Sequence, residues 1–121
     1  MSILFPKSEK LKSTKTIARL FEEGRSITEF PVKLIYIEQK TEQKTQAAFA
    51  VPKRNFKSAV DRNRIKRQLR EAYRLHKLLL SPNTGKNFAF LVLYIGKNKP
   101  EYVFLEKAMR VLLKKLRNEN S

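Results

Sequence analysis

Arg62-Asn63-Arg64-Ile65-Lys66-Arg67-Gln68-Leu69-Arg70-Glu71-Ala72-Tyr73-Arg74 lays a dense set of cations over a helical apolar rhythm, and the rest of the chain is best read outward from it. At roughly 100° per residue, Ile65, Leu69, Ala72, His76 and Leu79 share one stripe, the i, i+4, i+7 spacing of a helix that faces a core. Arg62, Lys66, Arg70, Arg74 and Lys77 form the neighbouring stripe, with Asn63 and Arg67 beside it. Solvated helices ordinarily mix the two signs. Here Glu71 is the one acidic residue among the cations, spaced to pair with Arg67 at i, i+4. Such a helix buries one flank and offers the other to polyphosphate.

The start of this helix is written in the residues before it. Ser58 followed by Asp61 is a capping box in outline: the hydroxyl satisfies free amides and the carboxylate favours the positive helix end. Onset is therefore predicted near Ala59. Lys53, Arg54 and Lys57 extend the cationic surface to the amino terminus of the helix, where unpaired N–H groups already favour an anion. Ser81, Pro82, Asn83, Thr84 and Gly85 supply the stop.

Composition points to the same kind of partner. The 27 Lys and Arg against 11 Asp and Glu leave a formal charge of +16 on 121 residues. That charge repels itself in the folded chain, and a polyanion relieves it while releasing counterions. An anionic membrane is a weaker match, since no long apolar segment or signal-peptide pattern occurs and the basic helix carries no Trp or Phe on its apolar side. A soluble, cytoplasmic protein is expected. The absence of cysteine excludes disulfides and thiolate metal sites.

Elsewhere the periodicity alternates between helix and strand. Residues 1–12 read as a basic arm, and Ile17, Leu20 and Phe21 mark a short helix that Gly24 can end. From about Phe30 to Glu38 the chain alternates as Val32, Leu34, Tyr36 against Lys33, Ile35, Ile37, which predicts a strand. Residues 39–46 form a turn, and Ala47 to Val51 a second strand closed by Pro52. Phe88 to Ile95 is an almost unbroken apolar run, as in a central strand. Leu105, Ala108, Met109, Leu112 and Leu116 then give a closing amphipathic helix of about four turns. The expected chain is one α+β domain over residues 1–121, in the order α-β-β-α-β-α.

Catalysis by the chain itself finds little support. General acid–base cleavage needs paired groups that titrate near neutrality, and His76 is the sole histidine, on an apolar stripe. Two-metal phosphodiester chemistry needs clustered carboxylates, yet Asp61 is the only aspartate and the glutamates are scattered. Gly85-Lys86 lacks the remainder of a phosphate-loop motif. A DNA regulator would need base-reading side chains and usually dimer symmetry, whereas this helix carries mostly phosphate-seeking cations. No catalytic residue, no DNA partner and no protein-bound metal are expected.

The stretch Lys53-Arg54-Asn55-Phe56-Lys57, followed by Arg62-Asn63-Arg64-Ile65-Lys66-Arg67 and closed by Arg70-Glu71, resembles the signature of the bacterial ribonuclease P protein subunit. Lys10-Leu11 is similar to that family's Arg-Leu near the amino terminus, and Ile17, Phe21 and Gly24 fall where it shows Phe, Phe and Gly. The resemblance implies an α/β sandwich like the second domain of a small-subunit ribosomal protein, with a left-handed βαβ crossover that the usual right-handed rule would not yield. It further implies the small partner of a catalytic RNA, ribonuclease P RNA, which with its own bound magnesium removes the 5′ leader of precursor tRNA. Carried over residue by residue, Lys53, Arg54, Lys57, Arg62, Asn63, Arg64, Lys66, Arg67 and Arg70 would face RNA. Ile17, Phe21, Ile35 and Phe49 would line a cleft for the leader. Ile17 departs from the family's aromatic, which removes a surface able to stack on a base.

Overall fold

The computed structural model describes residues 9–39, 44–80 and 87–119. Helix α1 spans Thr14–Glu23, strands β1, β2 and β3 span Arg25–Glu29, Val32–Gln39 and Gln46–Ala50, and helix α2 spans Ala59–His76. A single 3-10 turn over Lys77–Leu79 extends α2, after which come β4, Asn87–Tyr94, and α3, Tyr102–Glu119. The four strands form one sheet in the order β1-β2-β4-β3. The β1–β2 and β2–β4 pairs are antiparallel. Strand β3 runs parallel to β4, so the connection from β3 through α2 to β4 is a crossover unit.

The alternation read from β2 sorts its side chains onto the two faces of the sheet. Val32, Leu34 and Tyr36, with Phe88, Phe90, Val92 and Tyr94 of β4, face α2 and α3 and form the larger core. Into it α2 inserts Ile65, Leu69, Ala72 and Tyr73, and α3 inserts Leu105, Ala108, Met109, Leu112, Leu113 and Leu116. Burying each Ile, Leu or Met side chain among them contributes roughly 1.5–3 kcal/mol. The Tyr73 ring meets Phe90 edge-on at 5.3 Å and lies 6.0 Å from Phe49. Burial pushes the Tyr73 phenol far above its ordinary range. The opposite face is smaller: Ile35, Ile37, Ala89 and Leu91 pack under α1 through Leu20, with Leu11 beside them.

Several expectations are met closely. Helix α2 begins at Ala59, and the Ser58 hydroxyl accepts the Asp61 amide. Strand β4 is central, between β2 and β3. Two expectations need correction. The order is α-β-β-β-α-β-α, because Arg25–Glu29 forms an edge strand. Its one inward apolar residue, Ile27, is too little for alternation to register. The closing helix has 18 residues, roughly five turns, because Tyr102 to Phe104 and Arg117 to Glu119 extend it beyond the apolar repeat. Part of the basic arm docks on the sheet: Lys10 bridges Ala47, the Leu11 amide donates to the Ala47 carbonyl at 2.9 Å, and Leu11 is buried. The predicted helix stop at 81–85 lies outside the described residues, as do residues 1–8 of the arm.

Gly24 ends α1 with its amide donating to the Leu20 carbonyl at 3.0 Å. Its backbone is extended, φ −70° and ψ 148°, a conformation open to any residue, so space rather than torsion selects glycine. A β-carbon there would stand 2.3 Å from the Leu20 oxygen and 2.8 Å from Ile35 Cγ2. Gly24→Ala is therefore expected to destabilise the fold by about 1–3 kcal/mol, the usual cost of overpacking. A fall in the urea midpoint at unchanged slope would report it; an unmoved midpoint would show that the α1–β1 corner yields freely.

Candidate nucleic-acid interface

The cations of α2 divide by what already holds them. The Arg62 guanidinium donates to the Phe56 and Lys57 carbonyls at 2.7 and 2.8 Å, and so pins the preceding loop against the helix. Arg74 is taken by Glu71, its Nε donating to Oε2 at 3.0 Å. This replaces the Arg67–Glu71 pairing expected from spacing, the i, i+3 partner winning over i, i+4. The Arg74 hydrogen bond, offset in part by burial, holds the Glu71 carboxyl below the usual carboxylate range. Lys77 pairs with Glu9 at 3.0 Å. Asn63, Arg64, Arg67 and Arg70 are exposed and Lys66 is half-buried. Among the described residues no carboxylate lies within ion-pair distance of Arg64, Lys66, Arg67 or Arg70.

The loop that leads into α2 is shaped before any ligand arrives. The Asn55 amide donates to the Pro52 carbonyl, closing a tight turn through Lys53 and Arg54. Phe56 is buried against the Tyr94 ring, centroids 5.8 Å apart. Together with Arg62 these contacts fix a loop whose own cations, Lys53, Arg54 and Lys57, stand exposed. Asp61, in the first turn, meets Lys99 at 3.3 Å. The result is a preorganised row of positive charge running from the loop onto one flank of the helix, the arrangement that suits consecutive phosphates.

A second surface lies on the α1 side of the sheet. Ile17 packs on the small core, Ile35 is buried at 8% exposure beneath it, and Phe21 projects with 63% of its surface exposed. Phe49 does not join them. Its neighbours on β3, Ala48 and Ala50, take the α1 face, and Phe49 points through the sheet to Tyr73. The resemblance would set Phe49 in the same cleft as Ile17, but the alternation of β3 turns it to the other face. The floor beside α1 is made instead by Ala48, Ala50 and Leu93, all half-buried. Lys33 stands in register with Leu93, itself opposite Ala50. Sequence reasoning passed over these four. The signal was present in Lys33 sharing parity with Ile35 and in the two alternating alanines of β3.

These two surfaces are joined by the chain itself, because the basic loop runs directly from the end of β3 to the start of α2. An exposed aromatic beside a shallow apolar floor, followed by a fixed cationic row, can take bases at one end and a phosphate backbone at the other. Among the described residues no helix is long and apolar enough to cross a membrane, and no group of three His, Cys, Asp or Glu could hold a metal.

Comparison with known proteins agrees with this architecture. The family model for ribonuclease P matches residues 5–117. The ribonuclease P protein component of Porphyromonas gingivalis is 33% identical over 114 residues, spanning 86% of this chain and 80% of that protein. That of Chlorobium phaeobacteroides is 35% identical over 126 residues, spanning 92% and 86%. In fold, the chain superposes on the RNase P protein of Staphylococcus aureus with a TM-score of 0.75 at 20% identity, covering 92% of this chain and 97% of the other. With a family match over nearly its whole length and the fold of solved RNase P proteins, the chain belongs to the ribonuclease P protein component family.

Proposed function

We propose that the chain is the protein subunit of a ribonucleoprotein that removes the 5′ leader from precursor tRNA, and that it works by positioning RNA. The observation that carries this reading is the row of exposed cations on α2, Arg64, Arg67 and Arg70 with half-buried Lys66, which meet no carboxylate among the described residues and are joined through the fixed loop Lys53–Lys57 to the open sheet face beside α1. In this reading the α2 row engages ribonuclease P RNA. The α1 face, with Phe21, Ile17, Lys33 and the Ala48–Ala50 floor, receives the single-stranded leader. Ile35 supports that floor from below, and Arg62 serves by holding the loop. Magnesium belongs to the RNA, which performs the cleavage.

The physical contribution of such a protein is electrostatic. Two RNA strands brought together repel each other, and an interposed cationic bridge lowers that repulsion and the magnesium required to offset it. A general RNA-binding structural protein would share the charge and the fold, but it would be indifferent to whether tRNA carries a leader.

Arg67→Ala combined with Arg70→Ala removes two exposed guanidinia and is expected to leave the urea midpoint unchanged. The pair should weaken association with ribonuclease P RNA and reduce the slope of log affinity against log salt by about 2, close to one per lost phosphate contact. An unchanged slope would place the RNA elsewhere. Phe21→Ala should lower holoenzyme affinity for precursor tRNA by about 1–3 kcal/mol, the worth of one stacked base, and spare mature tRNA; equal losses on both substrates would make Phe21 a general contact. In cleavage assays at limiting magnesium, the mature 5′ end should form only when protein and RNA are both present. Cleavage by the protein alone would sink the positioning role.

A further inference from the structure

A groove at the end of the sheet where β2 begins and β4 ends plays no part in the surfaces above. It has a volume of 560 Å³ and opens between the β1–β2 turn and the loop from β4 to α3. Phe30 and Phe104 stand on its walls with 73% and 59% of their surfaces exposed. Exposed aromatics gathered in one groove with polar residues at its rim, unlike apolar residues scattered singly, mark sites of interaction.

The groove is built rather than incidental. The Tyr94 side chain is buried, and its hydroxyl donates to the Asn98 carbonyl, folding the loop back over the end of β4. Gly96 permits this, since a β-carbon there would lie 2.4 Å from the Tyr94 hydroxyl and 2.6 Å from Cζ. The Ile95 amide donates to the Pro31 carbonyl at 2.8 Å and so fastens the loop to the turn that carries Phe30. Two phenyl rings are thereby presented on fixed backbone, with little ordering left to be lost when a ligand arrives.

Charge around the groove selects the ligand. Lys97, Lys99 and Lys107 line it together with Glu29 and Glu101. Glu29 is partly neutralised by Lys115 at 3.5 Å. Lys99 reaches Asp61 at 3.3 Å, and this contact fastens the groove wall to the first turn of α2, where the cationic row begins. A polyanion lying along α2 therefore meets the groove as it passes the amino terminus of the helix. Lysines beside open aromatic faces suit a phosphate backbone with unstacked bases, and such stacking tolerates any base.

We propose that this groove is a second nucleotide site, in which Phe30 and Phe104 stack on an unpaired RNA base while Lys97 and Lys107 face its phosphates. The proposal rests on the reading of the chain as a ribonuclease P subunit. The nucleotide comes either from ribonuclease P RNA or from the substrate, and the chemistry of recognition is the same for both.

The test uses holoenzyme assembled from the full chain and ribonuclease P RNA, with Phe30→Ala plus Phe104→Ala compared with Phe30→Tyr plus Phe104→Tyr. Affinity of the chain for the RNA, and of holoenzyme for precursor tRNAs of increasing leader length, are measured beside the urea midpoint. The alanine pair should weaken one of these affinities by about tenfold at an unchanged midpoint, and the tyrosine pair should preserve it. A loss in assembly assigns the base to the catalytic RNA; a loss confined to substrate assigns it to precursor tRNA. If the alanine pair changes both by less than twofold while Arg67→Ala with Arg70→Ala still weakens assembly, the groove proposal is overturned and the subunit reading stands. It is also overturned if tyrosine loses as much as alanine. Should the arginine pair have no effect either, the subunit reading fails and the groove proposal with it.

Discussion

The burial of one stripe of α2 holds the rest of the molecule in place. Ile65, Leu69, Ala72 and Tyr73 enter the core shared with β4 and α3, and that seating fixes the rotation of the helix about its own axis. Once the rotation is fixed, so is the direction in which Arg64, Arg67 and Arg70 point. The apolar contact thus sets an electrostatic surface it does not touch, and it must outweigh the mutual repulsion of a chain carrying a charge of +16. Local pairing helps at the two ends. Arg62 is taken up by loop carbonyls, while Arg74 and Lys77 are neutralised by Glu71 and Glu9. Among the described residues, no carboxylate compensates the charge in the middle of the helix.

This division explains why a dense cationic motif need not act as a uniform patch. Spacing alone placed Arg62, Lys66, Arg70 and Arg74 in one stripe. In the folded chain Arg62 and Arg74 turn to groups of the protein, while Arg67, assigned to its flank, and Arg64 are as exposed as Arg70. Arg62, by holding the Phe56 and Lys57 carbonyls through Nη1, shapes the loop beside the exposed cations.

Periodicity revealed most of the architecture where one period was strong. The alternation of Val32 to Ile37 and the apolar run of Phe88 to Tyr94 were readable because both strands are buried by neighbours on two faces. Arg25–Glu29 escaped because its pairing with β2 is made by backbone hydrogen bonds, which leave no mark in side-chain type. The resemblance alone could not place Phe49 on a face, and a five-residue strand with three alanines shows apolar content without showing which parity faces which helix. The Phe30–Phe104 groove was beyond sequence reasoning altogether, since its two aromatics are 74 positions apart and are brought together only by the β1–β2 turn and the start of α3.

Docking of Lys10 and Leu11 on β3 has a bearing on solubility. A parallel strand at the margin of a sheet presents unpaired amides and carbonyls that can template a second chain. Here the Ala47 carbonyl is already occupied by the Leu11 amide, and Leu11 covers apolar surface beside it. The Glu9–Lys77 pair fastens the same segment to the end of α2. The opposite margin, β1, is short and begins and ends in the charged residues Arg25 and Glu29. With one margin partly covered at Ala47 and the other brief and charged, the sheet offers little free edge to a second copy, and its charge stays available for another kind of molecule.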